Sequence, residues 1–151
     1  MRPDLVPGMR IGELARRTGC DVETVRYYEK EGLLSVPERD GSGYRRYVAR
    51  HLEDLQFIRH CRSLGMKLVE IRMLLNLRYH PQQDCEQVNT LLDTQITRVQ
   101  EQMVAMGTLL EQLHVLRAEC AIRHRAGECG IMKTLNQAAR GGQCPCHLPV
   151  A

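Results

Sequence analysis

The sequence predicts a mainly α-helical protein in which a winged helix-turn-helix precedes a long coiled-coil helix. Within residues 9–32, a short helical run, a glycine-containing turn and a capped second helix follow one another, which is the order of a helix-turn-helix. Residues 33–47 contain a Pro, a Gly-Ser-Gly turn and paired Tyr and Arg residues, a composition typical of a two-stranded wing. Beyond Pro81, apolar residues recur at alternating steps of four and three, which predicts a coiled coil.

Composition and charge limit the classes of function. The 151 residues suffice for one or two small domains, and the absence of Trp with 4% aromatic residues predicts an aliphatic core. Residues 9–80 carry 14 Lys or Arg against 10 Asp or Glu, whereas residues 81–151 carry 6 against 7. The basic half suits a polyanionic partner. With no membrane-spanning apolar run and no visible signal peptide, we expect a cytoplasmic protein whose seven cysteines are metal ligands, redox groups or buried thiols.

The helix-turn-helix lies at the start of the basic half. Apolar residues from Ile11 to Ala15 fall at helical spacing, and residues 17–20 interrupt that run. Asp21 is placed to cap a second helix, which Gly32 ends. This second helix carries four side chains able to bond phosphates or base edges: Thr24, Arg26, Tyr28 and Lys30.

The predicted wing extends the basic surface. Arg45 and Arg46 would face phosphates, and Tyr44 and Tyr47 would pack or bond beside them. The pattern therefore favours DNA binding. The alternative is a solvated basic hairpin on a small helical domain that binds no nucleic acid, because helix pairs with Arg are common.

Two further helices, over 49–65 and 67–78, are expected to complete the core with their Leu and Ile stripes. Cys61 lies within the first stripe, and free Cys is among the most buried residue types, so we interpret it as a core thiol. Cys20 precedes the second helix, whose N-terminus can lower a thiol pKa. A redox role for Cys20 has little support, because no second cysteine is near it in sequence.

The coiled-coil seam continues for three heptads. A helix of about 36 residues would be ~54 Å long, and alone it would expose this seam to water. It therefore needs a partner, most simply a second copy of the chain. The seam positions are Leu92, Ile96, Val99, Met103, Met106, Leu110 and Leu113.

Two cysteines extend the seam at its ends. Cys85 lies seven residues before Leu92 and Cys120 seven after Leu113, so in one helix they would be ~52 Å apart and could not share an ion. In a parallel dimer each thiol would meet its own copy. In an antiparallel dimer that crosses near residue 102 or 103, each Cys85 would approach the other chain's Cys120, and Cys129 follows on a loop short enough to fold back.

Three thiolates from two chains select a soft metal ion. Structural zinc usually has four ligands and an iron–sulfur cluster needs four cysteines, so both fit less well. The alternative is that Cys85 and Cys120 are small seam-filling residues and that Cys129 is incidental. The five-heptad spacing and the nearby third cysteine favour the metal site.

The C-terminal tail holds a second group of soft ligands. Cys144, Cys146 and His147 follow a pair of glycines and form either an accessory metal site or a disordered tail with chance thiols. Of the isolated histidines, only His124 lies in the metal loop.

Several motifs resemble those of one family. The stretches 11-IGELARRTG-19, 25-VRYYEKEGLL-34, 43-GYRRY-47 and 57-FIRHCRSLGM-66 resemble the MerR family of transcriptional regulators. Within that family, 84-DCEQVNTLLD-93 and 128-ECGIMKTL-135 are most similar to the cadmium/lead-responsive branch. The resemblance runs from residue 9 to about residue 136. It implies a winged helix-turn-helix, a linker and an antiparallel dimerisation helix.

The resemblance also implies site residues. Cys85 of one subunit with Cys120 and Cys129 of the other would bind the inducer. Lead(II) ranks first and cadmium(II) second, ahead of mercury(II) and zinc(II), because a three-thiolate site suits lead and the flanking motifs favour the cadmium/lead branch. Glu23 stands where some relatives carry a cation, and we leave it out because a carboxylate cannot bind phosphate. The implied DNA contacts are Arg26, Tyr28, Arg39, Tyr44 and Arg45.

The implied function is activation of transcription by a homodimer on a palindromic promoter. Metal would distort the double-stranded DNA so that RNA polymerase transcribes heavy-metal resistance or efflux genes. The alternatives are a thiol-based redox regulator and a metal-buffering protein, and no catalytic constellation supports an enzyme. The expected segments are a disordered extension (1–8), a winged helix-turn-helix DNA-binding domain (9–80), a dimerisation helix (81–120), a metal-binding loop with a short helix (121–140) and a flexible Cys/His tail (141–151).

Overall fold

The computed structural model describes residues 8–123 and 125–144, and within these ranges the fold is mainly helical with one two-stranded sheet. The predicted fold class is therefore confirmed. Two compact units divide between Gln95 and Ile96. No helix in the described ranges is long and apolar enough to cross a membrane. The elements are α1 (Ile11–Thr18), α2 (Val22–Lys30), β1 (Glu38–Arg39), β2 (Arg45–Arg46), α3 (Ala49–Ser63), α4 (Leu68–Tyr79), α5 (Glu86–Ala118), a 3₁₀ helix (Ala126–Glu128) and α6 (Gly130–Ala139).

The helix-turn-helix forms where the sequence predicts it. Gly19 follows α1 with a φ of 65°, in the left-handed region that favours glycine. The side chain of Asp21 then accepts a hydrogen bond from the backbone N–H of Thr24 at 2.6 Å, which caps α2. Gly32, with a φ of 69°, follows the end of α2. Local signals alone therefore set both ends of this helix.

Helices α3 and α4 close the core of the N-terminal unit, as predicted. Leu55 and Ile58 on α3 and Ile71 on α4 are fully buried against the helix-turn-helix. Cys61 is 4% exposed in the same cluster, and burial raises the pKa of its thiol. The prediction of a core thiol is confirmed. Cys20 is partly buried and packs against this core.

The predicted two-stranded wing is present as β1 and β2, which pair antiparallel with Arg39 opposite Arg45. Asp40 organises the turn between them, because its carboxylate accepts hydrogen bonds from the N–H groups of Tyr44 and Ser42, both at 3.0 Å. These bonds hold the pKa of Asp40 below its usual value. The turn therefore keeps a fixed geometry while its basic neighbours stay at the surface.

The start of α5 packs onto the N-terminal unit through residues outside the heptad seam. Leu91 is 6% exposed and joins the core. Gln95 donates its side-chain amide to the Leu64 carbonyl at 2.7 Å. The heptad pattern identifies neither residue, because it selects the adjacent face of the helix, where Leu92 is 42% exposed.

The seam itself is uncovered in the single chain. All seven predicted seam residues are exposed, from 41% at Val99 to 68% at Met103 and Met106. An exposed apolar stripe of this length marks an interaction surface. The dimer itself stays a prediction, and its test is given in the Discussion.

Candidate DNA-binding surface and metal centre

The second helix of the helix-turn-helix, α2, presents an exposed polar face. The guanidinium of Arg26 lies 2.8 Å from the carboxylate of Glu23, three residues earlier, and the Arg26 side chain is 54% exposed. Lys30 is exposed on the same helix. A surface ion pair such as that between Arg26 and Glu23 contributes little free energy to folding. Arg26 can therefore exchange Glu23 for a phosphate or a base edge.

The two adjacent tyrosines of α2 have different surroundings. Tyr28 is 8% exposed within the core, and burial raises the pKa of its hydroxyl. Tyr27 is 48% exposed. The burial of Tyr28 favours a packing role over the predicted DNA contact, and Tyr27 is the more accessible of the two. The motif alone does not separate them, because neighbouring tyrosines match it equally well.

The wing carries the other three predicted DNA-binding residues, Arg39, Tyr44 and Arg45, which are all exposed. Tyr44 is 60% exposed, and the guanidinium of Arg10 lies 4.3 Å from the centre of its ring. Arg39 and Arg45 occupy paired positions on the two strands. The wing therefore presents two cations and an aromatic ring on one small hairpin.

Glu29 joins α2 to the wing. One oxygen of its carboxylate accepts a hydrogen bond from the Tyr47 hydroxyl at 2.5 Å, and the other lies 3.3 Å from Nε of Arg45. Tyr47 is fully buried, and this burial, together with the bond to Glu29, raises its pKa. Tyr47 and Arg45 thus share the carboxylate of Glu29, which lies between the core and the exposed surface of the wing. No sequence pattern indicates this role of Glu29.

Arg46 differs from its neighbour in its partners. Its Nε donates to the Asp40 carboxylate at 3.0 Å, and its guanidinium donates to the Gly8 carbonyl at 2.8 Å. Both bonds are partly buried and stabilise the base of the wing. The structure therefore favours Arg45 over Arg46 as a phosphate ligand.

Two of the three predicted metal-binding thiols lie together in the C-terminal unit. Cys120 follows the end of α5, and Cys129 directly precedes α6. A hydrogen bond between the two thiols raises the pKa of Cys120. The pKa of Cys129 is lowered, chiefly by the backbone N–H of Met132 in the first turn of α6. The thiolate is the form that binds metal, and a lowered pKa at Cys129 favours it.

The thiol pair lines an open pocket of about 400 Å³. The guanidinium of Arg117 donates to the Cys120 carbonyl at 2.5 Å, which closes the C-terminal end of α5. The Cys120 sulfur also lies 3.5 Å from the Ile122 carbonyl oxygen. These contacts hold the loop so that the two sulfurs face the same space.

Gly130 allows α6 to approach the end of α5. A Cβ atom added at Gly130 would collide with the carbonyl oxygen of Glu119, far inside van der Waals contact. Only glycine permits this separation between the two backbones, and Cys129 is the adjacent residue. The sequence contains this glycine in its CGI motif, but a spacing pattern does not show which backbone it approaches.

We expect Gly130→Ala to displace α6 and to weaken metal binding by the thiol pair about 10-fold or more, as changes around a metal ligand typically do. Gly127→Ala is a matched control in the same loop, because a Cβ there meets no atom within 4 Å. Competition with a chromophoric chelator would measure both variants. Equal affinities for the two would contradict the role assigned to Gly130.

The third predicted ligand, Cys85, belongs to the N-terminal unit and is exposed. Its carbonyl accepts hydrogen bonds from the N–H groups of Val88 at 2.9 Å and Asn89 at 3.2 Å, so α5 starts from this residue. Within residues 8–123 and 125–144 of the single chain, no three His, Cys, Asp or Glu side chains form a group that could hold a metal ion.

The predicted accessory site is only partly described. Cys144 is buried and disulfide-bonded, so its sulfur is not a thiolate here. Cys146, His147 and the loop residue His124 lie outside the described residues. Metal binding by the tail stays a prediction.

Comparison with known proteins places the chain in a family. The family model described as "MerR HTH family regulatory protein" matches residues 9–77, and the one described as "MerR, DNA binding" matches residues 52–116. The chain belongs to the MerR family. The helix-turn-helix and wing described above are thus those of a MerR-family protein, and the similar proteins of known role are transcriptional regulators rather than enzymes.

Three relatives of this MerR-family chain are informative. The ZntR homolog of Haemophilus influenzae, a transcriptional regulator, is 42% identical over 72% of this chain and 81% of its own length. The crystal structure of PbrR691 from Ralstonia metallidurans in complex with lead(II) is 46% identical, with a TM-score of 0.73 over 84% of this chain and 98% of that one. MerR from Bacillus megaterium in complex with mercury(II) is 31% identical, with a TM-score of 0.63 over 85% and 99%.

Proposed function

We propose that this MerR-family regulator is a metal-responsive transcriptional activator. It acts in the cytoplasm as a homodimer on a palindromic promoter and activates genes for heavy-metal resistance or efflux. Its inducer is lead(II) or cadmium(II), bound by Cys85 of one subunit together with Cys120 and Cys129 of the other.

The observation that carries this proposal is that Cys120 and Cys129 line the same pocket at the end of α5. Two thiols on a closed loop, one of them with a lowered pKa, are two ligands for a soft ion. The 46%-identical structure is described as a lead(II) complex, which supports the same chemistry in this chain. Cys85 completes a three-thiolate set if the second chain runs antiparallel.

Lead is the preferred inducer because a three-thiolate site suits a large soft ion. Cadmium is the second choice. Mercury and zinc are weaker candidates for this chain, although one relative is described in complex with mercury(II). The shared scaffold therefore supports a heavy-metal inducer in general, and the choice of ion is a finer part of the proposal.

Signal transfer to DNA follows from where Cys85 lies. Cys85 lies at the start of α5, directly after the DNA-binding domain (9–80). A metal ion that draws Cys85 toward the other subunit's loop would therefore change the angle between the two DNA-binding domains of the dimer. The bound promoter then becomes untwisted and kinked. RNA polymerase can then contact both of the promoter elements that it recognises. Phosphate contacts dominate affinity, so metal changes DNA shape more than occupancy.

Competitive metal titration of the purified dimer tests the inducer. Thiolate charge-transfer absorption in the ultraviolet would be followed for lead, cadmium, mercury and zinc. We expect two ions per dimer, each with three thiolates, and the tightest binding for lead or cadmium. Zinc as the tightest ligand would overturn the choice of inducer, and peroxide-driven induction without any metal would favour a redox regulator instead.

On the DNA side, we expect Arg45→Ala to weaken operator binding and to lower the salt dependence. Each chain would lose about one phosphate contact, so the slope of log affinity against log salt would fall by ~0.9 per chain. Fluorescence anisotropy at several salt concentrations would measure it. Arg140→Ala removes the same charge near the end of the C-terminal unit and should leave the slope unchanged. If both variants gave the same slope, Arg45 would not contact a DNA phosphate.

A further inference from the structure

A polar cluster around the buried carboxylate of Asp54 joins α3 to the last turn of α4, and its other members are partly exposed. We name it the Asp54 cluster. It consists of Arg50 and Asp54 on α3 with Arg78 and Tyr79 on α4. Asp54 is 3% exposed, so its carboxylate needs partners to offset the loss of water. It accepts hydrogen bonds from the Tyr79 hydroxyl and, at 3.4 Å, from the Arg78 guanidinium, while Arg50 lies 3.8 Å away.

Stacking contacts strengthen the same junction. The guanidinium of Arg50 lies 4.0 Å from the centre of the Tyr79 ring, and that of Arg78 lies 5.4 Å from the centre of the Phe57 ring. Arg78 also pairs with Glu53 at 3.4 Å. Directional contacts from two consecutive residues thus fix the final turn of α4 against α3.

The chain leads from this fixed turn to Cys85 in a few residues. Only residues 80–84 separate Tyr79 from Cys85, and the N–H of Gln83 donates to the His80 carbonyl at 3.0 Å, which folds the segment into a turn. The position of Cys85 is therefore set from one side by the end of α4 and from the other by the start of α5.

Stability alone is a weak explanation for the Asp54 cluster. The Asp54 carboxylate loses its water, which offsets much of what its partners contribute, and ion pairs with partly exposed cations such as Arg50 and Arg78 add little stability. Buried polar groups can instead select one specific arrangement of the helices that carry them. In the Asp54 cluster the specified arrangement is that of the end of α4, from which the short segment 80–84 leads to Cys85.

We propose that Asp54 and Tyr79 are positioning residues for the metal site, which hold Cys85 where the other subunit's thiols can share an ion with it. This rests on the proposed function. The Asp54 carboxylate touches no metal in this scheme. It acts through the Tyr79 hydroxyl and the short segment 80–84.

The test is Tyr79→Phe in the full-length dimer, which removes the hydroxyl and keeps the ring under Arg50. We expect the affinity for lead(II), measured by chelator competition, to fall about 10-fold, in the range of outer-shell changes at metal sites. The lead–thiolate charge-transfer band should shift or weaken at saturation. Operator affinity without metal should stay within about 2-fold, since the phosphate-binding residues are untouched.

A second variant separates positioning from folding. In a Cys85→Ser background, Tyr79→Phe should have no further effect on lead binding by the two remaining thiols. A remaining effect in that background would overturn the proposal, and so would a loss of metal-free operator binding in Tyr79→Phe alone. Asp54→Asn should resemble Tyr79→Phe in its lead affinity, and the double variant should be no worse than either single one.

The outcomes distinguish this proposal from the function on which it rests. A wild-type dimer that binds lead without any thiolate band would overturn the proposed function and the positioning role together. A wild-type dimer with the band, and a Tyr79→Phe dimer with unchanged affinity and band, would overturn the positioning role only.

Discussion

A Cys85→Ser dimer is expected to occupy its operator like the wild type but to lose metal-induced transcription. Cys85 starts α5 and is exposed, so serine is tolerated structurally while its hydroxyl is a poor ligand for a soft ion. We expect affinity for lead to fall by more than about 100-fold, because even outer-shell changes cost ~10- to 100-fold. In vitro transcription with and without lead, beside a footprint of the promoter, measures both properties.

Mixed dimers provide the control for this result. One chain carries Cys85→Ser, and the other carries Cys120→Ser with Cys129→Ser. In the antiparallel scheme, one end of this mixed dimer keeps three thiols and the other end has none, so one ion should bind with wild-type affinity. Induced transcription that survives Cys85→Ser in both chains would exclude a three-thiol inducer site, and a mixed dimer without any tight site would exclude sharing between subunits.

The helix-turn-helix and the wing could be predicted because short-range rules determine them. Asp21 caps α2 and Gly32 follows its end as local preferences require. The turn of the wing depends on Asp40 and its neighbours in sequence. Such features need only adjacent residues, so a single sequence is sufficient to identify them.

Features that depend on tertiary packing were harder to predict. Which of Tyr27 and Tyr28 enters the core depends on the elements that pack over α2. Leu91 is buried although it lies outside the heptad pattern. The close approach of Gly130 to Glu119 pairs two backbones across a loop. None of these contacts has a periodic signal in sequence.

The candidate metal centre also has one part that could be predicted from sequence and another that could not. The sequence predicts that the loop with Cys129 is short enough to fold back to Cys120, and in the structure both residues line one pocket. It did not show that the first turn of α6 lowers the pKa of Cys129, because the start of α6 was not located from a pattern. The contribution of Cys85 depends on a second chain, and it stays a prediction.

The seam of α5 gives the second large expected effect. Met103→Glu should dissociate the dimer, because an antiparallel pair that crosses near residue 102 or 103 would bring two carboxylates together in an apolar interface. An uncompensated buried charge costs about 3–5 kcal/mol, so the dimer dissociation constant should rise at least ~100-fold. Analytical ultracentrifugation at micromolar protein measures it, and operator affinity should fall with the loss of the two-fold pair of recognition helices.

Val104→Glu is the matched control for this change. Val104 is 71% exposed and Met103 is 68% exposed in the single chain, so exposure does not distinguish the two positions. Only the heptad pattern does, because it includes Met103 and omits Val104. A dimer that tolerates Val104→Glu and not Met103→Glu would show that the four-three spacing selects the interface. If the dimer tolerated both changes equally, another face of α5 would contact the partner. The shared thiol site would then have no structural basis, because it requires this seam.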